Sequence, residues 1–566
     1  MCLRACLTVL VCIAATGLAS ARESGVRLPD IGSSAGEMMT PQQERQYGSS
    51  MLHEMRSLSM VLDDPLLSEY VNSLGYRLVA HSDKPDNNFT FFFVRDSGIN
   101  AFAAPGGFIG MNSGLFTTAE NEDEVAAVLA HEIAHISQNH LLRAFEDSQK
   151  ASLPIALAMI GAMIAASGAR GDGAEAALMT GTSLIQQRQI NFTRKDEIEA
   201  DRVGIQTLAR SHFDPQAMAG FFSRMERALR GGGGDGRIPD LLRTHPVTVD
   251  RISDAKARAE GMEKGADVDA DPPSINVGLA NLRGTSRTDD FRPLPRPAAA
   301  KPAESGAGKS AEREQTFLLM RERARALGAD QPSAIQAYYA SNLARQTGFD
   351  TPANRYGNAL ALIRTGQPGE ARKILADLAE RAPANLPFQL ALAQAEAQSG
   401  RRTESLSRYE KLLANSPDSY AIALSFAQTL IEDTQGASAR RAQDLLRPIL
   451  AREIDDPEPY RVFARASELA GDKVRAAEAY ADVSLLNGRL EDALNQLKAL
   501  TKRSDLDYYQ RTRIDARIVE VTPIVLELRH RGIKPSDQGR LAPAFSCQDS
   551  NSCASVSSRR NNSALE

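Results

Sequence analysis

The chain has 566 residues, enough for two or three domains that each bury a core. A formal net charge of −5 gives a nucleic acid no attractive surface, so no nucleic-acid partner is expected. Aromatic residues make up 5% of the chain, Trp is absent, and Ala and Leu recur throughout, which favours helices over sheet.

Residues 1–21 have the pattern of a cleavable export signal. Arg4 precedes an apolar run from Ala5 to Ala15, and Ala19-Ser20-Ala21 ends it with small residues. The run is shorter than the ~20 residues that span a bilayer. Val9-Leu10-Val11 ahead of Cys12 lacks the small residues of a lipidation site. Removal of Cys2, Cys6 and Cys12 with the signal leaves Cys547 and Cys553, which can close a small loop in an oxidising compartment or stay as free thiols.

Residues 41–261 read as one domain of helices with a small β section. Phe89–Val94 and Phe108–Met111 are apolar, β-prone runs separated by Gly and Pro. They predict two strands, either with a free edge that an extended peptide can join or as a plain hairpin beneath a helix. Asn121, three residues before Glu124, predicts the N-cap of an apolar helix. That helix carries His131-Glu-Ile-Ala-His135, so both imidazoles face one side and can reach one Zn²⁺. Glu132 stands beside them as a general base for a metal-activated water. His140 is read as lying on the same helix, about 180° from His131 and pointing elsewhere, and it is given no role, as with His53, His81, His212 and His530.

The uncharged run Leu153–Ala169 is read as a helix or lid beside the site, with shallow membrane contact as the alternative. Thr193 and Asp196 have capping-box spacing and predict a second helix. On it Glu197 and Asp201 share a face, whereas Glu199 lies about 160° from Glu197. Glu197 is therefore the expected third metal ligand and Asp201 the acceptor that holds a ligand imidazole. His245 follows the glycine run 231–234. It is expected either to latch the metal's open position or to stabilise an oxyanion.

Residues 262–312, rich in Pro, Gly, Ala and Asp, read as a linker. Residues 313–502 repeat. Gly366 and Gly400 are 34 residues apart, as are Pro383 and Pro417, and Gly471 restores the pattern after an insertion placed at Asp433–Ala439. This period predicts TPR-like helical hairpins stacked into an α-solenoid. Residues 503–566 are expected to form an extension with a disordered end.

Taken together, His131-Glu-x-x-His135 and Glu197-x-x-Ala-Asp201 resemble the HtpX-type gluzincin metallopeptidases, and more closely their exported, TPR-bearing branch. Asn100–Asn112, Ser211–Pro215 and Thr244-His-Pro246 resemble the same family. The fold implied is mainly α with a small β section, a gluzincin peptidase domain followed by the TPR-like solenoid. The resemblance implies one Zn²⁺ per chain and a periplasmic metalloendopeptidase that degrades misassembled outer-membrane β-barrel proteins and assists their assembly. It also implies that the repeats dock on the barrel-assembly machinery, with at most peripheral membrane contact. The alternative is a chaperone or adaptor whose metal site is latent or silent.

Overall fold

The computed structural model describes residues 40–85, 88–144, 194–230, 241, 245–262, 306–433, 436–451 and 455–530. The expected signal, the run Leu153–Ala169, Thr193, the glycine run 231–234, most of the linker and both tail cysteines lie outside the described residues.

In the first unit, helices α1 (Pro41–Ser57) and α2 (Pro65–Val79) enclose a three-stranded sheet of β1 (Thr90–Val94), β2 (Ala101–Ala104) and β3 (Phe108–Asn112). The aromatic run is explained by burial on both faces. Phe89, Phe91 and Phe93 pack with Val71 and Leu74 of α2, while Phe92 and Val94 pack with Leu52 of α1 and Phe108. The plain hairpin of the two predicted runs does not form. β1 runs parallel to β3, with Phe92 opposite Gly110, and the antiparallel partner of β3 is β2. The sheet order is β1-β3-β2, which leaves β2 as an edge strand. The Ala-rich β2 carries little β propensity, so only its pairing reveals it.

A short helix α3 (Ser113–Thr118) leads into α4 (Glu122–Ser137), which bears the histidines. Asn121 caps α4, its side-chain oxygen accepting from the Glu124 N–H at 3.0 Å, and Glu122, Asp123 and Glu124 load the first turn with charge that suits the helix dipole. Val125–Ala130 are all buried, so α4 is the central helix of its unit. It ends at Ser137, after which Asn139 takes a positive φ of 55°.

Helix α5 (194–210) crosses α4, followed by α6 (Gln216–Arg230) and α7 (Val249–Glu260). The crossing depends on small residues. A Cβ at Gly204 would lie 3.2 Å from the His131 backbone nitrogen, and Ala134, Ala200 and Val203 form a cluster of their own at the contact.

Helix α8 (Gly306–Gly328) starts inside the segment expected to be linker and joins the two units. Phe317 meets Phe116 of α3 edge-on at 5.4 Å. Arg323 makes two 2.7 Å hydrogen bonds to Asp64, the cap of α2, and donates a third to the Tyr356 hydroxyl. Beyond α8, α9 (Pro332–Arg345) is followed by recurring helical hairpins from α10 (Pro352–Arg364) through α11 (Pro368–Arg381), α12 (Leu386–Gln398), α13 (Arg402–Asn415), α14 (Tyr420–Ile431), α15 (Gly436–Leu450), α16 (Pro457–Leu469) and α17 (Lys473–Leu486). The same turn recurs four times among the described residues. Gly366, Gly400, Gly471 and Gly488 have φ of 74°, 81°, 83° and 70°, and the next residue donates back to Leu362, Glu396, Ser467 and Ser484 at 2.8 Å.

Helix starts locate the insertion. From Arg402 to Gly436 is 34 residues, as before, whereas from Gly436 to Lys473 is 37. Buried Ala371, Ser405 and Ala439 keep the 34-residue phase, so the extra residues fall after Ala439 rather than at Asp433–Ala439. The helical region also runs past residue 502, to the end of a long helix spanning Tyr508–His530.

Where the repeats dock on α1 and α2, a cavity of about 50 Å³ is lined by Arg56, Asp63, Glu69, Asn72, Tyr420 and Asp455. Burial pushes Glu69 up to about 7, against the hydrogen bond it accepts from the Ala421 N–H and with Asp64 adding to the rise. A carboxyl whose folded pKa lies above its unfolded value contributes stability at low pH that is lost as pH rises through the folded pKa. Glu69 keeps some solvent contact, which reduces the effect. Glu69→Gln should therefore gain on the wild type by about 1 kcal/mol between pH 6 and pH 8, read from urea midpoints. A constant difference across that range would exclude Glu69 as the titrating group.

Candidate metal centre

Helix α4 supplies His131 and His135, α5 supplies Glu197, and the segment ahead of α7 supplies His245. Their ligand atoms all lie within 4.8 Å of one another. The two Nε2 atoms are 3.0 Å apart, and Glu197 oxygens lie 3.3 Å from His131 Nε2 and 3.4 Å from His135 Nε2. His245 Nδ1 is 3.4 Å from His131 Nε2 and 2.9 Å from Glu197 Oε1. A tetrahedron with ~2.0–2.1 Å metal–ligand bonds has edges of about 3.3 Å, so this donor set fits a four-coordinate cation.

Glu132 is fully buried, and neither of its carboxylate oxygens makes a hydrogen bond among the described residues. Its nearest charged neighbour is His245 Nε2 at 3.6 Å. Beside it, Val128, Met218, Phe221, Phe222 and Val247 line a narrow apolar pocket.

Asp201 lies 2.9 Å from His131 Nδ1, the face of the ring opposite the cluster. Burial opposes charge on His131, yet the hydrogen bonds to Asp201 and Glu197 outweigh it and hold its pKa up at about 10. For His135 burial dominates and the pKa falls to about 3. Burial alone would raise Glu197, but His245 and His131 hold it well below the usual carboxylate range. A site with two carboxylates thus carries a compensating positive charge even before a metal is considered.

Two residues that the sequence assigns no role join the site. Arg251, on α7, is 5% exposed and donates to both Asp201 oxygens at 2.7 and 2.8 Å. It also pairs with Glu197 at 2.8 Å and donates to the Pro246 carbonyl, lying over the Phe222 ring. No local pattern marks it, since its partners come from another helix. His140 does not point away. Its Nδ1 lies 2.9 Å from His135 Nδ1 and its Nε2 3.1 Å from Glu199. The helical extrapolation fails because α4 stops at Ser137 and Asn139 redirects the chain; the turn-forming pair Gln138-Asn139 was the available signal. His53 and His81 stay outside the cluster, bonding Ser49 and the Arg77 carbonyl respectively.

The sequence profile of peptidase family M48 matches residues 65–259, the stretch that contains His131, Glu132, His135, Glu197, Asp201, His245 and Arg251. The chain is 31% identical over 499 residues to the β-barrel assembly-enhancing protease of Escherichia coli (strain K12), covering 88% of this chain and 91% of that protein. It is 30% identical to the protein of the same name from Yersinia pestis, over 87% of this chain and 90% of the relative. A putative β-barrel assembly-enhancing protease of Vibrio cholerae is 44% identical over 250 residues, 44% of this chain and 51% of the relative. With identity sustained across both the peptidase and the repeat regions, the chain belongs to the M48 metallopeptidases, in the company of the β-barrel assembly-enhancing proteases.

Proposed function

We propose that this chain is a periplasmic zinc endopeptidase that removes misassembled outer-membrane β-barrel proteins, with its helical repeats docking on the barrel-assembly machinery. The observation that carries the reading is the cluster of His131, His135 and Glu197 at tetrahedral spacing beside the buried carboxylate of Glu132, which makes no hydrogen bond among the described residues. The names of its relatives, the β-barrel assembly-enhancing proteases, point to the substrate class. No described helix is long and apolar enough to cross a membrane.

Zinc held by these three residues would supply Lewis acidity to the attacking water and to the scissile carbonyl. Glu132 accepts the water's proton and returns it to the leaving amine. Asp201 fixes the His131 ring and its tautomer, and Arg251 fixes Asp201. The edge strand β2 offers main-chain hydrogen bonds to an extended chain, which suits a peptidase with loose sequence preference.

His245 occupies the fourth corner, within ligand distance of the cluster, which favours a latch. The purified protein should hold about one zinc and cleave an unfolded outer-membrane barrel protein slowly. His245→Ala should keep the zinc and raise both that cleavage and self-cleavage several-fold. Lost cleavage in this variant would assign His245 to the oxyanion instead, and wild-type behaviour would remove it from the site. A wild type without zinc would overturn the peptidase reading.

A further inference from the structure

The expected ligand His131 rests on Asp201 directly, whereas its counterpart His135 has no carboxylate on Nδ1. That atom faces His140 Nδ1 at 2.9 Å. His140 is 3% exposed, and its other nitrogen meets Glu199 Oε2 at 3.1 Å. Glu199 is in turn held by Arg143 at 2.9 Å. We propose that His140, Glu199 and Arg143 form a positioning relay that fixes the ring orientation and tautomer of His135 as a metal ligand. The inference rests on the zinc reading of the site.

The direction of every bond follows from the metal. With the Nε2 lone pair committed to a cation, a neutral His135 carries its proton on Nδ1 and must donate. His140 then accepts at Nδ1, which places its own proton on Nε2, aimed at Glu199. Each nitrogen is satisfied with His140 neutral, and the chain ends on an ion pair at the surface. Both metal histidines would thus end on a carboxylate–arginine pair. The one behind His131 is direct and buried, and the one behind His135 is relayed and partly exposed. His140, Asp196 and Glu199 also have metal-like spacing, but Arg143 lies 2.9 Å from Glu199 and 3.8 Å from Asp196 and already supplies the positive charge there.

Zinc affinity, measured on the full chain by competition with a fluorescent chelator, tests this without reference to activity. His140→Phe keeps a ring and removes both hydrogen bonds, and zinc binding should weaken about 10–100-fold. His140→Asn places an acceptor oxygen near the former Nδ1 and should recover most of that loss. The absorption bands of cobalt(II) substituted into the site should shift in the Phe variant and return in the Asn variant. Should His140→Phe not fold, Glu199→Ala breaks the relay at a partly exposed side chain and should weaken zinc several-fold. Wild-type affinity in His140→Phe or in Glu199→Ala overturns the relay, as does equal weakening in the Phe and Asn variants, which would mean packing alone. A wild type that takes up no zinc fails the parent reading instead.

Discussion

Glu132→Gln should abolish most proteolysis, a fall in kcat of about 10²–10⁴-fold, while zinc content stays at that of the wild type. Glu132 is fully buried, and Gln preserves its volume, so the fold should not change. Its oxygens make no hydrogen bond that the substitution would break. Removing the base costs the proton transfer and nothing that binds the metal, because the cluster of ligand atoms comes from His131, His135, Glu197 and His245. Rates on an unfolded outer-membrane barrel protein, with metal content determined on the same samples, separate the possibilities. Loss of both zinc and cleavage would mean that Glu132 binds the ion. Full cleavage without it would place the base elsewhere, with His245 the nearest candidate at 3.6 Å.

The second large effect belongs to Arg251. Its guanidinium is shared between Asp201 and Glu197, and all three side chains are nearly inaccessible to solvent. Arg251→Met removes the cation and leaves two buried carboxylates facing each other. Breaking a buried pair in this way costs about 3–5 kcal/mol. In a domain of this size that lowers the midpoint of thermal unfolding by on the order of 10 °C. A bound dication replaces part of the missing charge at Glu197, so the loss should be largest in chelator and smaller with zinc. Arg251→Lys keeps the charge without the fork and should fall between. If Arg251→Met unfolded like the wild type in chelator, its ion pairs would not be holding the site together. The hydrogen bond to the Pro246 carbonyl also ties Arg251 to the segment bearing His245. The same variant should therefore loosen whatever control His245 exerts.

The sequence determined the parts whose information is local. One helical turn separates His131 from His135, and Glu197 from Asp201, so shared faces follow from chain geometry alone. The cap at Asn121 and the 34-residue recurrence of Gly366 and Gly400 are likewise written in neighbouring residues. What only the tertiary structure decided are the relations between segments distant in the chain. The parallel pairing of β1 with β3 and the Ala-rich β2 depend on partners, since strand formation reflects packing more than propensity. Arg251 gains its role from Asp201 and Glu197 on another helix. His140 reaches His135 because one left-handed residue, Asn139, breaks the helical phase on which a sequence argument depends. Such charges and ring nitrogens find their partners only when burial makes leaving them unpaired costly, and burial is a property of the assembled fold.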